Sequence, residues 1–238
     1  MTICNGINIS NNIVSLRVFG SVARGDADSK SDLDILAVLR TDRKPPENHI
    51  VRVIENIYGR TCNISWYSYK RMKELFSQGH LFAWHIFQES NKLLTVTEID
   101  IVDQLGIPSP YSAAREDISS LIAILSSIKK ELNLCRRNAV YEAGLIYVCL
   151  RNISLSASSF LSEKLDFSRY SPFNLPDASC QFPLSRRDYE ILVQARHSSM
   201  RGETPPKLNI YDVLDEQDAA LKWAQVIENL ARGSIDVC

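Results

Sequence analysis

Apolar positions in the N-terminal part of the chain follow two rhythms. Residues 13–19, IVSLRVF, alternate well enough for a strand, with Val14, Leu16 and Val18 on one face. Residues 33–39, LDILAVL, form a second apolar run of strand length. The stretch PPENHIVRVIENIYG opens on two prolines and stops at Gly59, which predicts a helix. CNISWYSY, beginning at Cys62, reads as a third strand. YKRMKELFSQG and HLFAWHIFQESNKLL read as helices that meet at Gly79.

The rhythm changes after Leu94. DQLGIPSPYSAARED carries two prolines and suits a connector. Beyond it the strand signal ends. AREDISSLIAILSSIKKELNLC, NAVYEAGLIYVCLRNISLSASSFL and NIYDVLDEQDAALKWAQVIENLAR all place apolar residues at helical spacing. Residues 161–184 are irregular and contain Pro172, Pro176 and Pro183. The expected organisation is α+β: a mixed sheet with helices over residues 1–100, followed by an all-helical domain over residues 112–238.

Composition narrows the function classes. Of 238 residues, 45% are apolar and 23% charged, an ordinary balance with ample material for a core. A formal net charge of −1 argues against a long nucleic-acid footprint and leaves a short one open. Six cysteines show neither a C-x-x-C pair nor zinc spacing, so free thiols in a reducing compartment are expected. The N-terminus lacks a basic segment followed by a long apolar one. No run approaches the ~18 apolar residues of a membrane span. A soluble cytoplasmic protein without a membrane partner is the expectation.

Candidate chemistry concentrates in FGSVARGDADSKSDLDIL, from Phe19 to Leu36. Gly20 follows a strand and can adopt backbone angles barred to other residues. Backbone N–H groups exposed in such a turn form an anion nest, to which Ser21 can add a hydroxyl. Arg24 and Lys30 lie close enough to offer positive charge. Asp32 and Asp34 are two residues apart, so strand geometry points both carboxylates to one face and turns Leu33 and Ile35 into a core. Paired carboxylates repel unless a cation neutralises them. Oxygen ligands with substrate phosphates completing the shell are what Mg²⁺ takes. The bland alternative is a Gly-Ser turn followed by two solvated aspartates.

Gly20-Ser21 followed by Ser31-Asp32-Leu33-Asp34 resembles the G-S-x(n)-D-x-D pattern of the DNA polymerase β-like nucleotidyltransferase superfamily. More narrowly, FGSVARGDADSKSDLDILAV is similar to its small bacterial members, the antibiotic and minimal nucleotidyltransferases. The resemblance covers roughly residues 13–95. It implies transfer of a nucleotidyl group from a nucleoside triphosphate to a hydroxyl acceptor, which could be a small molecule, a protein or RNA. It implies two Mg²⁺ ions on Asp32 and Asp34, with Gly20 and Ser21 at the β and γ phosphates. The cleft between the two halves would then hold the substrates.

One departure from the pattern matters. The superfamily supplies a third carboxylate from the next strand, and the matching position here is Asn63. An amide can offer a carbonyl oxygen but cannot take a proton near neutral pH. Three explanations stand open: a carboxylate from elsewhere, with Glu142 in the helical half as the candidate catalytic base; transfer without a third carboxylate; or a nucleotide-binding sensor or antitoxin-like module with weak or absent transfer. Glu142 could equally be a solvated helix residue.

The helical half resembles the HEPN domains that accompany minimal nucleotidyltransferases, through Arg151-Asn152 on an apolar helix. The histidine that nucleases of that family place after the arginine is absent: residues 156–158 are Ser156, Ala157 and Ser158. Arg151 is expected to be partly buried against a carboxylate such as Glu142. A homodimer through this half is a further expectation. His80 and His85, five apart, suit core packing better than a metal pair. Arg186, Arg187, Arg196 and Arg201 either line a phosphate cleft or solvate a helix.

Overall fold

The strand-forming runs of the sequence pair into one mixed sheet. In the computed structural model, residues 12–29, 31–95, 99–134 and 138–233 are described. Contacts divide the chain into two units, Met1–Tyr111 and Ser112–Cys238. In the first unit the strand order is β3-β2-β1-β4, with β1 at Ile13–Phe19, β2 at Leu33–Leu39, β3 at Cys62–Ser68 and β4 at Asn91–Thr95. β1 is antiparallel to both β2 and β4, whereas β2 and β3 are parallel. A parallel pair needs a crossover. Helix α2, Glu47–Tyr58, supplies it, starting behind Pro46 and ending at Gly59 with φ +64°.

Both faces of the sheet are covered, which is why β2 reads as an almost unbroken apolar run. Leu33, Ile35, Ala37 and Leu39 pack with Ile50 and Ile54 of α2. Leu36 and Val38 face the other way, onto α3 (Tyr69–Ser77) and α4 (Leu81–Glu89), through Met72, Leu75, Phe76, Ala83 and Ile86. All seven residues of β1 are buried. Leu16 and Val18 share the α2 face, but Val14 packs on the opposite one. The register shift between Ile13 and Ser15 marks a bulge that turns Val14 over and breaks the simple alternation.

A second difference concerns residues 91–95. The helix expected to run to Leu94 stops at Glu89, and the following residues form the edge strand β4 against β1. The exposed ladder of β1 outweighs the helical spacing of so short a segment. Ser90 caps the change of direction, its hydroxyl donating to the Ile86 carbonyl at 2.5 Å.

Arg17 lies on the buried strand β1 and is 6% exposed. Its Nη1 donates to Asp100 Oδ1 and Asp103 Oδ1, each at 2.9 Å, and its Nε donates to Ser90 Oγ at 2.8 Å. Asp100, fully buried, also accepts from Ser15 Oγ at 2.6 Å and from the Val102 amide at 2.9 Å. This network fastens the segment after β4 to the sheet. Closer to the unit's end, Gly79 has φ +64°, and a Cβ there would fall 2.3 Å from the Pro110 carbonyl oxygen. The connector reaches this corner through Ser109, whose amide donates to the Phe76 carbonyl and whose carbonyl accepts from Trp84 Nε1. The proline-bearing segment therefore packs on the first unit.

The second unit is all-helical: α5 at Ala114–Leu134, α6 at Ala139–Leu161, α7 at Arg186–Arg201 and α8 at Ile210–Gly233. Helix α6 contributes Ile146, Cys149, Leu150 and Ile153 to a core shared with α5, α7 and α8. By length and composition α6 could cross a membrane, with a mean hydropathy of 1.3 over its best window, which corrects the expectation that no run comes near a span. Just over half of that window, 56%, is buried inside the unit, as a core helix requires. Gly144 explains how closely α7 approaches it: a Cβ there would lie 2.9 Å from Arg196 Cα. Gly144→Val is expected to lower stability by about 1–3 kcal/mol through overpacking. A urea-unfolding midpoint equal to that of the wild type would show that the two helices can part at no cost.

Candidate active site

The turn and the carboxylates singled out in the sequence meet at the end of β1. Phe19 stands opposite Asp34 in the β1–β2 ladder, so the chain turns at Gly20 directly beside that carboxylate. Gly20 opens the short helix α1, Gly20–Arg24, with φ +73°. A Cβ at this position would stand 2.8 Å from Asp34 Oδ2. Glycine is thus required twice, by the left-handed backbone and by the space the carboxylate occupies. Helix α1 ends at Gly25, φ +82°, whose amide donates to the Ser21 carbonyl at 3.0 Å. The Ser21 side chain is half-buried.

Asp32 and Asp34 are both half-buried, while Leu33 and Ile35 are fully enclosed on the α2 face. Asp34 stands level with Asn63 in the parallel β2–β3 ladder. Asn63 is exposed, and its Nδ2 donates to Asp32 Oδ2 at 3.3 Å. The structure therefore gathers Gly20, Asp32, Asp34 and Asn63 around one corner of the sheet. The amide acts here as a donor to a carboxylate, a role that a third carboxylate could not fill.

The other expected site residues lie differently. Arg24 Nη1 donates to Glu89 Oε2 at 2.7 Å, and its Nε donates to Asp26 Oδ2 at 3.2 Å. Burial works to lower the Arg24 pKa, but the bonds to Glu89 and Asp26 outweigh it and hold the guanidinium firmly charged. His85 Nε2 stands 2.8 Å from the same Glu89 oxygen. A phosphate reaching Arg24 would have to compete with Glu89. Lys30 lies outside the described residues.

Glu142 sits in the first turn of α6, in the helical unit, and is 4% exposed. It is not the solvated residue of the bland alternative. Burial, and secondly the charge of Glu131, raise its pKa above the usual glutamate value. Arg151 has a different partner from the carboxylate expected for it. Among the described residues its Nη2 donates to the Phe167 carbonyl oxygen at 2.7 Å, bracing the irregular segment after α6. His80 is exposed and caps α4 by accepting the Phe82 amide on Nδ1 at 3.1 Å, so it does not pack in the core as expected. Arg186 lies 3.4 Å over the Tyr170 ring, a cation–π contact that neither expectation for the arginine-rich helix included.

Among the described residues no group of three or more His, Cys, Asp or Glu side chains gathers as a metal site. The donor set at the corner is two carboxylates and one amide. Hard oxygen donors of this kind suit Mg²⁺, which keeps several waters and takes substrate phosphates as further ligands. Glu89, Arg17 and Asp100 were not legible as partners in the sequence, because their contacts join residues 65 or more positions apart.

Residues 5–117 match the family described as "Nucleotidyltransferase domain". No curated protein matches the chain. Among solved structures it is similar to the spectinomycin adenyltransferase AAD(9) from Enterococcus faecialis, solved with ATP and spectinomycin. Identity is 14%, the match covers 91% of this chain and 93% of that one, and the TM-score is 0.48. The sheet and its paired aspartates thus lie within the stretch that is similar to the nucleotidyltransferase domain family.

Proposed function

We propose that the protein transfers a nucleotidyl group from a nucleoside triphosphate to a hydroxyl acceptor, with Mg²⁺ held by Asp32 and Asp34. The observation that carries this reading is the fit of Gly20 against the Asp34 carboxylate, 2.8 Å from where a Cβ would be, inside the matched domain. A bare glycine lets phosphate oxygens approach the backbone N–H groups and the carboxylates together. Bound magnesium would neutralise charge on the triphosphate oxygens as the leaving pyrophosphate departs. The residues of the chain bind and orient the nucleotide. Ser21 donates its hydroxyl to a phosphate oxygen, and Asn63 keeps Asp32 turned toward the site through its amide hydrogen bond. The acceptor could be a small molecule, a protein or RNA, and the helical unit would select it.

Ser21→Ala should weaken triphosphate binding modestly, by about 1.5–3 kcal/mol, the contribution of a hydrogen bond to a charged oxygen. An unchanged nucleotide affinity in calorimetric titration would reduce Ser21 to a residue of the turn alone.

Asn63 also supports a second reading, a binding module that holds triphosphate without efficient transfer. An amide that donates to Asp32 cannot take the acceptor proton. In the enzymatic reading Glu142 is the base, and burial, with the charge of Glu131, raises its pKa above the usual glutamate value and so makes it a stronger base than a free glutamate. The helical unit is HEPN-like in this reading, with Arg151 in a structural role and no nuclease chemistry. Pyrophosphate release from wild type, Glu142→Gln, Asn63→Asp and the double variant separates the readings. For the enzyme, Glu142→Gln lowers turnover by roughly 10²–10⁴-fold with nucleotide binding retained. For the binding module, the wild type binds tightly, releases no pyrophosphate, and Asn63→Asp raises transfer.

A further inference from the structure

Asp32 stands one residue before the first residue of β2, so the sheet ladder does not itself hold it. What holds it is the short stretch between α2 and β3. Arg60, next to the left-handed Gly59, extends Nη1 to two carbonyl oxygens, Asp28 O at 2.7 Å and Ser31 O at 2.9 Å. The same turn closes on itself. The Ser31 amide donates to Asp28 O at 3.2 Å, Ser31 Oγ donates to Asp28 Oδ1 at 2.8 Å, and the Asp28 amide donates to Ser31 Oγ at 3.0 Å. On the far side of Asp32, the Leu33 amide donates to Thr61 O at 2.8 Å, and Asn63 reaches the Asp32 carboxylate itself.

We infer that Arg60 is a positioning residue of the site: its guanidinium bridges Asp28 O and Ser31 O and so fixes the Asp32 carboxylate beside Asp34 for a divalent cation carrying a nucleoside triphosphate. The inference rests on the proposed function. Residues 60–63 grip the chain on both sides of Asp32, and Asn63 reaches its side chain. A residue that positions a metal-binding carboxylate typically governs metal affinity by about 10–100-fold when removed. The two bonds are made to carbonyl oxygens, so a cationic donor is the right chemistry and any cation of sufficient reach retains part of it.

Two measurements on the full chain test this. Hydrogen exchange of the Ser31 amide in the metal-free protein reads the clamp alone. Mn²⁺ titration by electron paramagnetic resonance, with a non-hydrolysable triphosphate analogue present, reads the site. Arg60→Met is expected to speed Ser31 exchange and to raise the Mn²⁺ dissociation constant by about 10–100-fold, with the unfolding midpoint near that of the wild type. Arg60→Lys is expected to restore much of both. Unchanged Ser31 exchange in Arg60→Met overturns the clamp. Weaker Mn²⁺ binding with unchanged exchange assigns Arg60 a purely electrostatic effect and also overturns it. A wild type that binds no Mn²⁺ with the analogue overturns the proposed function, and the exchange at Ser31 then still decides whether Arg60 holds the turn.

Discussion

Asp34→Asn is expected to lower nucleotidyl transfer by at least about 10²–10³-fold, the scale of removing one preorganised electrostatic stabiliser, while the fold stays intact. The substitution is nearly isosteric. Asp34 fits beside Gly20, where the amide can occupy the space of the carboxylate, so the turn at Gly20 has no reason to move. The loss is one negative charge at a corner where Asn63 already stands in place of a third carboxylate. With Asp32 alone, a divalent cation would have a single anionic protein ligand, and Mg²⁺ prefers its hydration shell to so weak a site. Circular dichroism and the unfolding midpoint should match the wild type, and steady-state turnover should not. Full turnover in purified, folded Asp34→Asn would remove the carboxylate pair from the chemistry.

The largest expected effect on stability lies elsewhere in the same unit. Asp100→Ala should cost about 3–5 kcal/mol, because it takes the buried carboxylate from a buried arginine, whose remaining carboxylate partner, Asp103, is part-exposed. Arg17 is 6% exposed and Asp100 is fully buried, so water cannot readily replace the lost carboxylate. Ser15 Oγ and the Val102 amide would lose their acceptor at the same time. Asp103 and Ser90 would still accept from Arg17, which keeps the loss from growing further. The double variant Arg17→Met with Asp100→Leu should be less destabilised than Asp100→Ala, since an apolar pair removes both desolvated charges together. Urea unfolding of the three variants checks this, and an Asp100→Ala midpoint within error of the wild type would contradict the buried-pair reading.

What could be read in the sequence follows from locality. The turn at Gly20, the spacing of Asp32 and Asp34 and the apolar run behind them lie within one short stretch. Strand alternation puts the two carboxylates on one face, and the antiparallel β1–β2 pairing brings the turn to them. Asn63 was legible through the family resemblance, which expects a third carboxylate on the next strand, and the parallel β2–β3 register sets it level with Asp34. Strand β4 was misread because Asn91–Thr95 is too short to show a period, and the open edge of β1 decides its conformation. Val14 was misplaced because a bulge leaves no mark in an otherwise alternating run. Arg24 looked like a phosphate ligand in isolation, and its pairing with Glu89, 65 residues away, is a property of the fold. Arg17 and Asp100, 83 residues apart, carry no sequence signal at all.

Nucleotidyl transfer breaks the bond between the α and β phosphates, and isotope position reads which bond is broken. Wild-type protein should be incubated with Mg²⁺, cell extract as acceptor source and each nucleoside triphosphate labelled in turn at the α or the γ phosphorus. Nucleotidyl transfer places the α label on an acceptor and releases the γ label as pyrophosphate, and both signals should fall together in Asp34→Asn. Movement of the γ label to the acceptor, or tight nucleotide binding with neither label transferred, would contradict it.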